Sequence, residues 1–548
     1  MNESAKVSEH PSTPPATTTP GTAAPAVTTP AVTTNPWVGI VAVFIGAGLA
    51  TLNSRLLSVG LPDLRGALGL SYDDASWLPT ALNMATMFSG VFIVFLNAYW
   101  GPRRILLPAA AIFMGASLIL PFAPNYATMV ILLVIAGISS GTFYSLTMTF
   151  VLTALPKKLI IFGIAAYAAD IVFISNIASL LEGWYIQHLS WHWIFWTAAA
   201  GCPLMMVCVY FGIPKRPSLD PKPSWRGFAY FSLGLALLYG ALDQGERLDW
   251  FNSGTIVAMS VAGVFLVGAA LVRRLTQPNP VLNLKFLSTR NIIIVALSIF
   301  VFKFMHLAAI VLVPGFLSNI QRYRPLEVGH TLAWVALPMF VLVWVVALAI
   351  VYTNSRLVLV LGLTVGGFCC WLWSHVDTSW AGNSFQLVEL LMSAALACSY
   401  VGLVSCIVLE GLEAGALTSA ANAATLSGFM HFVRIFGGQV GVAMMTRFIS
   451  VREKFHSNIL GLHLQTGSGL TNTRLKMLTL GMLPHSTGLE EAQHRATAIL
   501  SSQVRAQAYT LATSDGFILI MWVIFGYLLL LPWMKPNKIG YIELSKMK

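Results

Sequence analysis

The sequence predicts an all-α integral membrane protein of about fourteen hydrophobic helices. Of its 548 residues, 56% are hydrophobic and 10% are charged, and the mean hydropathy is +0.74. A soluble domain normally carries about 25% charged residues, so most of this surface does not face water. Apolar runs long enough to cross about 30 Å of hydrocarbon recur along the chain, with basic residues between them.

The formal net charge of +11 is compatible with nucleic-acid binding, but the basic residues are not gathered in one aromatic-flanked patch. We therefore interpret them as determinants of membrane topology and expect no nucleic-acid partner. The six cysteines all lie inside apolar runs, without zinc-like or redox spacing. We expect them to act as small hydrophobes and expect neither a metal nor a cofactor.

Residues 1–36 are rich in Thr, Pro and Ala and have no apolar stretch, which predicts a disordered cytoplasmic tail. After this tail, each apolar run can be compared with the roughly 20 residues that a membrane helix needs. The predicted spans are Trp37–Leu57, Ala75–Ala98, Ile105–Phe122, Ala127–Leu152, Leu159–Leu181, Trp191–Ile213, Gly227–Leu242, Thr255–Leu271, Ile292–Phe316, Val328–Val351, Leu357–Trp373, Phe385–Leu409, Leu417–Ile449 and Gly516–Trp533.

The distribution of Lys and Arg predicts the orientation, because basic residues are retained on the cytoplasmic side. With the N-terminus inside, the cytoplasmic connections and the C-terminal tail hold 17 Lys and Arg residues, against 4 in the opposite short loops. This imbalance predicts a multi-pass protein of the bacterial cytoplasmic membrane with both termini in the cytoplasm. One missed span would scramble the alternation, so the imbalance also supports an even number of helices.

The connection 451–514 is unusually long, at about 60 residues, and is predicted to lie outside the cytoplasm. Its apolar spacing, first at Phe455, Ile459 and Leu462, is typical of amphipathic helices. Such a segment either caps the helix bundle or contacts a partner protein.

Few ionisable residues fall within the predicted spans, where each costs about 2.5 to 3.5 kcal/mol and needs a partner or a water-filled cavity. Asp170 lies near mid-depth in the fifth span, and Lys303 and His306 lie three residues apart on one face of the ninth. Asp170 with Lys303 or His306 is our candidate for proton coupling in a central cavity. The alternative is a static ion pair, or side chains wetted by a cavity without a coupling role.

Other polar residues in the spans are candidates for a substrate cavity or for helix packing. Arg55, in the outer part of the first span, is a candidate for the substrate cavity, and Arg434, in the thirteenth, is a candidate for a conformational or packing role. Further candidates for lining a pocket for an amphipathic substrate are Asn53, Asn83, Tyr144 and Asn176. Glycines spaced four residues apart allow helices to approach closely, and here they are Gly137 with Gly141 and Gly437 with Gly441. Gly438, beside the second pair, is a candidate for the same packing or conformational role.

Several segments resemble a known group of transporters. The most specific is Ala241–Ser253 (ALDQGERLDWFNS), which resembles the loop between two extra central helices. Others are Leu52–Pro62 (LNSRLLSVGLP), Gly137–Leu146 (GISSGTFYSL), Trp191–Trp196 (WHWIFW), Pro280–Asn291 (PVLNLKFLSTRN) and Phe432–Gly441 (FVRIFGGQVG). From Trp37 to the last span, the chain resembles the fourteen-helix drug:proton antiporter branch of the major facilitator superfamily, the EmrB-type exporters.

The resemblance implies the major facilitator fold, with six-helix bundles at 37–213 and 291–548 and two helices inserted between them at 214–290. It implies export of amphipathic, often cationic or aromatic, small molecules in exchange for protons. In Gram-negative relatives, a periplasmic adaptor and an outer-membrane channel commonly complete the path.

The sequence departs from the branch at positions associated with proton antiport. It has Asn53 for the first-helix aspartate, Leu133 for a fourth-helix arginine, Ala178 and Ser179 for a Gly-Pro pair, and Ala98 for an acidic residue. In the loop after the second span, Gly101, Arg103 and Arg104 keep the family pattern and are candidates for a conformational role. Either coupling has moved to Asp170, Lys303 and His306, or the transporter works differently.

The leading hypothesis is an efflux transporter driven by the proton gradient. The alternatives are a substrate-specific exporter or uniporter for an anionic metabolite held by Arg55 and Lys303, and a membrane sensor descended from a transporter. A membrane enzyme is disfavoured, because the sequence has no Walker-type loop, no HExxH segment and no evident catalytic triad.

Overall fold

The computed structural model describes residues 35–156, 159–214, 225–275, 290–413, 420–464 and 468–534. The regular secondary structure within these ranges is entirely helical, which confirms the predicted all-α class. Residues 1–34 of the predicted tail lie outside the described residues, as do 215–224 and 276–289, which belong to predicted cytoplasmic connections.

The long helices follow the predicted order of spans. They are α1 Pro36–Val59, α2 Leu61–Leu68, α3 Tyr72–Trp100, α4 Pro102–Ile119, α5 Tyr126–Ala154, α6 Ile160–His188, α7 Trp193–Gly212, α8 Trp225–Gln244, α9 Gly254–Leu275, α10 Arg290–Leu307, α11 Val313–Asn319, α12 Pro325–Tyr352, α13 Ser355–Trp373, α14 Gly382–Glu413, α15 Ala420–Leu462, α16 Gly469–Met482 and α17 Leu489–Leu528. A π-helical segment at Ala308–Leu312 joins α10 to α11 as one span.

Eleven spans in the described part of the chain are long and apolar enough to cross a membrane. The long helices α3, α8 and α15 also coincide with predicted spans, so the count of fourteen spans stays a prediction. We call the membrane face at which α1 begins the near face, and the face at which α1 ends the far face.

Local sequence signals set the helix ends. Asn35, Ser71 and Asn125 each accept a hydrogen bond from a backbone N–H in the first turn of α1, α3 and α5, which satisfies a donor that the helix leaves free. Gly101 connects α3 to α4 with a positive φ of 73°, and Pro102 begins α4. Because a side chain would be strained at this φ, Gly101 fixes the sharp turn.

Two helices are much longer than their predicted spans. α15 has 43 residues and α17 has 40, so each continues well beyond the roughly 30 Å of hydrocarbon. Beyond the predicted span bounds at Ile449 and Gly516, both helices run on into the connection 451–514, where the apolar spacing predicts amphipathic helices. Asp515 of α17 accepts hydrogen bonds from Arg452 at 2.6 Å and His456 at 2.7 Å, both on α15. We call the connection 451–514 the extension. These polar contacts join α15 to α17 where the extension begins and ends.

Glycines allow the first and second halves of the chain to meet closely along α6 and α12. A Cβ on Gly183 would lie 2.4 Å from the backbone N of Leu326, and one on Gly329 would lie 2.4 Å from the Cα of Leu180. Both contacts are at the far-face ends of these helices. Backbones this close exclude any side chain, so the far-face ends are held together by direct helix packing.

The predicted glycine pairs on α5 and α15 differ in how closely they approach a neighbouring helix. A Cβ on Gly137 would lie 2.4 Å from the carbonyl O of Leu82, and one on Gly141 would lie 2.5 Å from that of Thr86, so α5 packs closely on α3 as expected. At Gly437 the contacts of a Cβ begin at 3.8 Å and involve side chains only. A Cβ on Gly441 would lie 3.2 Å from Leu307 Cδ1, and the close helix approach expected for this pair stays a prediction.

Gly183→Val should separate α6 from α12, because the new side chain overlaps the backbone of the facing helix. Overpacking of this kind costs about 1–3 kcal/mol, so we expect a lower thermal unfolding midpoint for the purified protein in detergent. Gly268→Val in α9 is the matched control, since a Cβ there meets nothing within 4 Å. Equal midpoints for the two variants would contradict the close approach.

Candidate functional site

The charged residues predicted within the membrane come from four helices that meet at the centre of the protein. Arg55 lies on α1, Asp170 on α6, Lys303 on α10 and Arg434 on α15. Each is partly exposed, although each lies well inside a membrane helix. Charged side chains at this depth usually face a water-accessible cavity or a partner, so these four mark a polar space between the two halves of the chain.

Arg434 lies over the ring of Tyr144, with 4.2 Å between the guanidinium carbon and the ring centroid. This is a cation–π contact, which stabilises the cation. The Tyr144 hydroxyl donates to Thr51 Oγ1 at 2.8 Å and so links α5 to α1. Arg434 Nε and Nη2 are buried and have no hydrogen-bond partner among the residues described. Two donors of the guanidinium are therefore available to a ligand.

Asp170 lies beside Gly48 of α1, where a Cβ would be 2.9 Å from the carboxylate Oδ1. Its Oδ2 is buried and has no hydrogen-bond partner within the described ranges. Asp170 and Arg434 attract each other electrostatically, yet no salt bridge of 4 Å or less joins them in the described structure. The predicted partnership of Asp170 with Lys303 or His306 stays a prediction. In the structure, Arg434 is the cation that interacts electrostatically with Asp170.

Lys303, His306 and Arg55 form a second group of basic side chains. Lys303 Cδ would lie 3.8 Å from a Cβ on Gly438, which places this side chain against α15. His306 is 1% exposed and stacks on Phe302, and both of its ring nitrogens lack partners in the described part of the chain. Lys303 and Arg55 repel each other and His306 electrostatically, so these basic groups belong to one region of the protein interior.

A small cavity lies beside Arg434, between helices of both halves of the chain. Its volume is about 20 Å³, and its polar and aromatic lining comes from Tyr144, Tyr167, Tyr400, His431 and Arg434. A cavity of this size holds about one water molecule. A drug-sized molecule would therefore enter only after the helices around it move apart.

The remaining predicted cavity residues occupy different settings. Asn83 accepts a hydrogen bond of 2.8 Å from Ser54, so it links α3 to α1. Asn53 and Asn176 are fully buried, and the side-chain oxygen of each lacks a hydrogen-bond partner in the ranges described. Asn176 also donates to the carbonyl O of Val172 in its own helix at 2.8 Å. Their predicted role as cavity-lining residues stays untested.

The predicted conformational residues after α3 lie at the near face. Arg103 is buried, with its guanidinium 4.4 Å from the ring centroid of Tyr210 on α7. Arg104, the next residue, is exposed. This stretch therefore joins α4 to α7 within the first half of the chain, while its part in conformational change stays a prediction.

A polar cluster at the far-face end of α8 was not predicted as a site. Asp243 accepts hydrogen bonds from Thr80 of α3 and from Gln439 Nε2 of α15, the latter at 2.8 Å. One carboxylate on α8 thus connects the first half of the chain to the second. We call Thr80, Asp243 and Gln439 the far-face latch. The sequence analysis used the segment Ala241–Ser253, which contains Asp243, only as evidence of a family resemblance. That segment is the one signal that could have indicated the latch.

Ion pairs beside the latch also connect the segment after α8 to α3 and to α15. Arg247 pairs with Asp73 at the start of α3, and Glu246 Oε1 lies 3.4 Å from Arg447 Nη1 of α15. Partial burial raises the pKa of Glu246, but hydrogen bonds from Trp250 and Ser450 and the charge of Arg447 outweigh it and hold the pKa below the usual 4.5. Glu246 is therefore charged at neutral pH. Its link to α15 is lost only as the pH falls through that lowered pKa.

In the described part of the chain, membrane-crossing helices surround a central cavity with unpartnered charged groups, which is the architecture of a secondary transporter. The chain matches the model of the Major Facilitator Superfamily over residues 43–446. It therefore belongs to this superfamily of transporters and is not an enzyme. The predicted fold class is confirmed.

Relatives and solved structures agree with this assignment. The chain is 23% identical to the multidrug export protein EmrB of Haemophilus influenzae, over 90% of this chain and 95% of that protein. It is 22% identical to the colistin resistance protein EmrB of Acinetobacter baumannii, over 89% and 94%. The structure of the proton:xylose symporter XylE bound to 6-bromo-6-deoxy-D-glucose has a similar fold, with a TM-score of 0.53 and 12% identity over 93% of this chain and 98% of that one. The predicted resemblance to EmrB-type exporters is confirmed.

Asp243→Asn should loosen the far-face latch, because a hydrogen bond to a charged group contributes about 1.5–3 kcal/mol. We expect at least about tenfold faster hydrogen exchange at 72–80 and 439–447, measured by mass spectrometry in detergent. Asp249→Asn is the control, since its carboxylate bonds Asn252 within the same loop at 2.6 Å. Unchanged exchange in the Asp243 variant would show that the latch does not hold the two halves together.

Proposed function

We propose that this protein is a multidrug-type exporter, which moves small amphipathic molecules across the membrane by alternating access. The observation that carries the proposal is the central site, where Asp170 and Arg434 come from opposite halves of the chain and each keeps buried polar atoms without a partner in the described structure. The relatives named as multidrug export and colistin resistance proteins support the same direction of transport.

The far face is then the extracytoplasmic face of a bacterial inner membrane, with both termini in the cytoplasm. The support is the excess of Lys and Arg in the near-face connections, since basic residues are retained in the cytoplasm. In this orientation, the far-face latch and the α6–α12 contact close the site toward the outside. Export requires these contacts to open after the substrate has entered from the near face.

Transport is coupled to protons through Asp170 in this proposal. Arg434 attracts the Asp170 carboxylate across the interface between the bundles, 37–213 and 291–548. Protonation of Asp170 removes the negative charge and with it this attraction, so the two bundles lose one electrostatic link between them. Asn53 replaces the usual first-helix acid, which leaves Asp170 as the carboxylate of the central site. Lys303 and His306 adjust its surroundings through their own charge.

Asp170→Asn should abolish proton-driven export while leaving the protein folded, because an amide of equal size cannot carry the proton. The assay is accumulation of a fluorescent dye in everted vesicles with an imposed pH gradient, where we expect at least about a tenfold loss of rate. Asp249→Asn, in an exposed loop, is the control for a charge change of the same kind. Undiminished dye accumulation by the Asp170 variant would reject this residue as the coupling group.

We further propose that the extension beyond the far face binds a periplasmic adaptor, which in turn meets an outer-membrane channel. Its helix α16 leaves three large apolar side chains uncovered, with Leu470, Met477 and Leu480 exposed by 86%, 62% and 66%. A surface of this kind is typical of a protein contact. The alternative is that α16 only caps the bundle.

Deleting Leu464 to His485 separates these two roles. If the extension binds an adaptor, efflux across the whole envelope falls while transport in everted vesicles is unchanged, because the vesicle assay needs only the inner-membrane step. The triple substitution of Leu470, Met477 and Leu480 by Gln tests the same surface without shortening the chain. Equal losses in cells and in vesicles would indicate that α16 supports the transporter fold instead.

A further inference from the structure

The central site has an excess of positive charge. Arg55, Lys303 and Arg434 all reach it, whereas Asp170 is the acidic side chain that interacts with them. Repulsion between Lys303, Arg434 and Arg55 is costly in a medium of low dielectric. A site with this balance gains stability when an anion enters and loses it when a cation does.

The other buried acidic residues of the described helices do not cancel this excess. Glu182 and Glu389 are fully buried toward the far-face ends of α6 and α14, and Glu182 lies against Gly60 beyond the end of α1. Asp243 is hydrogen-bonded in the far-face latch. Glu410 pairs with Arg356 at 2.8 Å, toward the near face. Their positions and contacts place all four outside the group around Arg434.

The free donors of Arg434 have the geometry that an oxyanion needs. Nε and Nη2 lie on the same edge of the planar guanidinium, and neither has a partner among the described residues. This edge offers two parallel N–H groups, which match the two oxygens of a carboxylate. A lysine at this position could supply the charge but not the paired donors.

Aromatic side chains provide the walls around this edge. Tyr144 lies against the guanidinium, and Tyr167 of α6 and Tyr400 of α14 line the same cavity with their ring centroids 6.4 Å apart. Phe302 stacks on Tyr400 at 4.6 Å and extends the apolar surface toward α10. A flat or apolar body can pack against these rings while its charged end binds Arg434.

The second basic group lies about one helical turn toward the far face. Thr51 and Arg55 are four residues apart on α1, as are Arg434 and Gly438 on α15, and Lys303 lies against Gly438. One turn corresponds to a rise of about 6 Å. An anion released from Arg434 toward the far face would therefore meet Lys303 and Arg55 next.

We propose that the central site binds organic monoanions, with a carboxylate or similar oxyanion on the Nε–Nη2 edge of Arg434 and an aromatic or aliphatic body against Tyr144, Tyr167 and Tyr400. Lys303 and Arg55 then form the second binding position on the way to the far face. This proposal rests on the proposed export function and specifies its substrate class. An inside-negative membrane potential favours outward movement of an anion, which agrees with the proposed direction.

The test compares three probes that share one aromatic body: 2-naphthoate, 2-naphthylmethanol and 2-naphthylmethyl-trimethylammonium. Binding to the purified full-length protein in detergent is followed by naphthalene fluorescence, and transport is followed in proteoliposomes with protein-free liposomes as the leak control. We expect 2-naphthoate to bind at least about tenfold more tightly than the alcohol or the ammonium compound, and to be the probe that is transported.

Two variants assign this preference to the guanidinium edge. Arg434→Gln should remove it, with binding of 2-naphthoate at least about tenfold weaker. Arg434→Lys should bind 2-naphthoate with intermediate affinity, because it keeps the charge and loses the paired donors. Arg505→Gln, at an exposed position of α17, should match the wild type. Thermal unfolding of each variant separates a lost ligand contact from a lost fold.

The outcomes distinguish this proposal from the proposed function. Transport of the ammonium compound in preference to 2-naphthoate, or equal transport of both with no effect of Arg434→Gln, would overturn the anion site and leave export intact. Arg434-dependent binding of 2-naphthoate without transport of any probe would support the anion site and count against export. Equal binding of all three probes by the wild type and by Arg434→Gln would refute the anion site whatever is transported.

Discussion

The structure depends on one constraint, which is that a charged side chain inside hydrocarbon must be given water, a partner or a ligand. Asp170, Arg434, Lys303 and Arg55 all lie at membrane depth, and all retain partial exposure because the helices leave a polar space between the two halves of the chain. Arg434 Nε and Nη2 have no hydrogen-bond partner among the described residues, and the guanidinium lies over the ring of Tyr144. In the function that we propose, these unpaired donors bind the substrate.

The remaining helix contacts decide which way the site opens. At the far face, Gly183 and Gly329 bring α6 and α12 into backbone contact, and Asp243 bonds α3 and α15 at once. The inserted helix α8 is therefore more than a spacer, because its carboxylate holds both bundles in one arrangement. Such a link is strong enough to define a closed state and weak enough to break when the bundles rock, since it consists of a few hydrogen bonds.

Much of the fold could be predicted because a membrane helix must satisfy its backbone internally and present an apolar surface over its whole length. That rule concerns only the part of a helix inside the hydrocarbon, so the full lengths of α15 and α17, with 43 and 40 residues, appear only in the structure. Rarity likewise pointed to Asp170 and Arg434, because ionisable groups in apolar runs are costly. Asp243 gave no such signal, since it lies near the end of a span where a carboxylate is ordinary.

The sequence alone determined the number and order of the spans, their orientation preference and the identity of the few charged residues inside them, because hydropathy and the retention of basic residues are properties of local segments. Only the tertiary structure decided which of these charged residues lie near one another. Asp170 and Arg434 are 264 positions apart in the chain, and nothing in either segment specifies the other. The packing of whole helices brings Asp170 near Arg434, leaves one edge of the Arg434 guanidinium unpaired and forms the latch at Asp243. In this packing, glycines set the distance between helix backbones, and the contacts join residues that are far apart in the sequence.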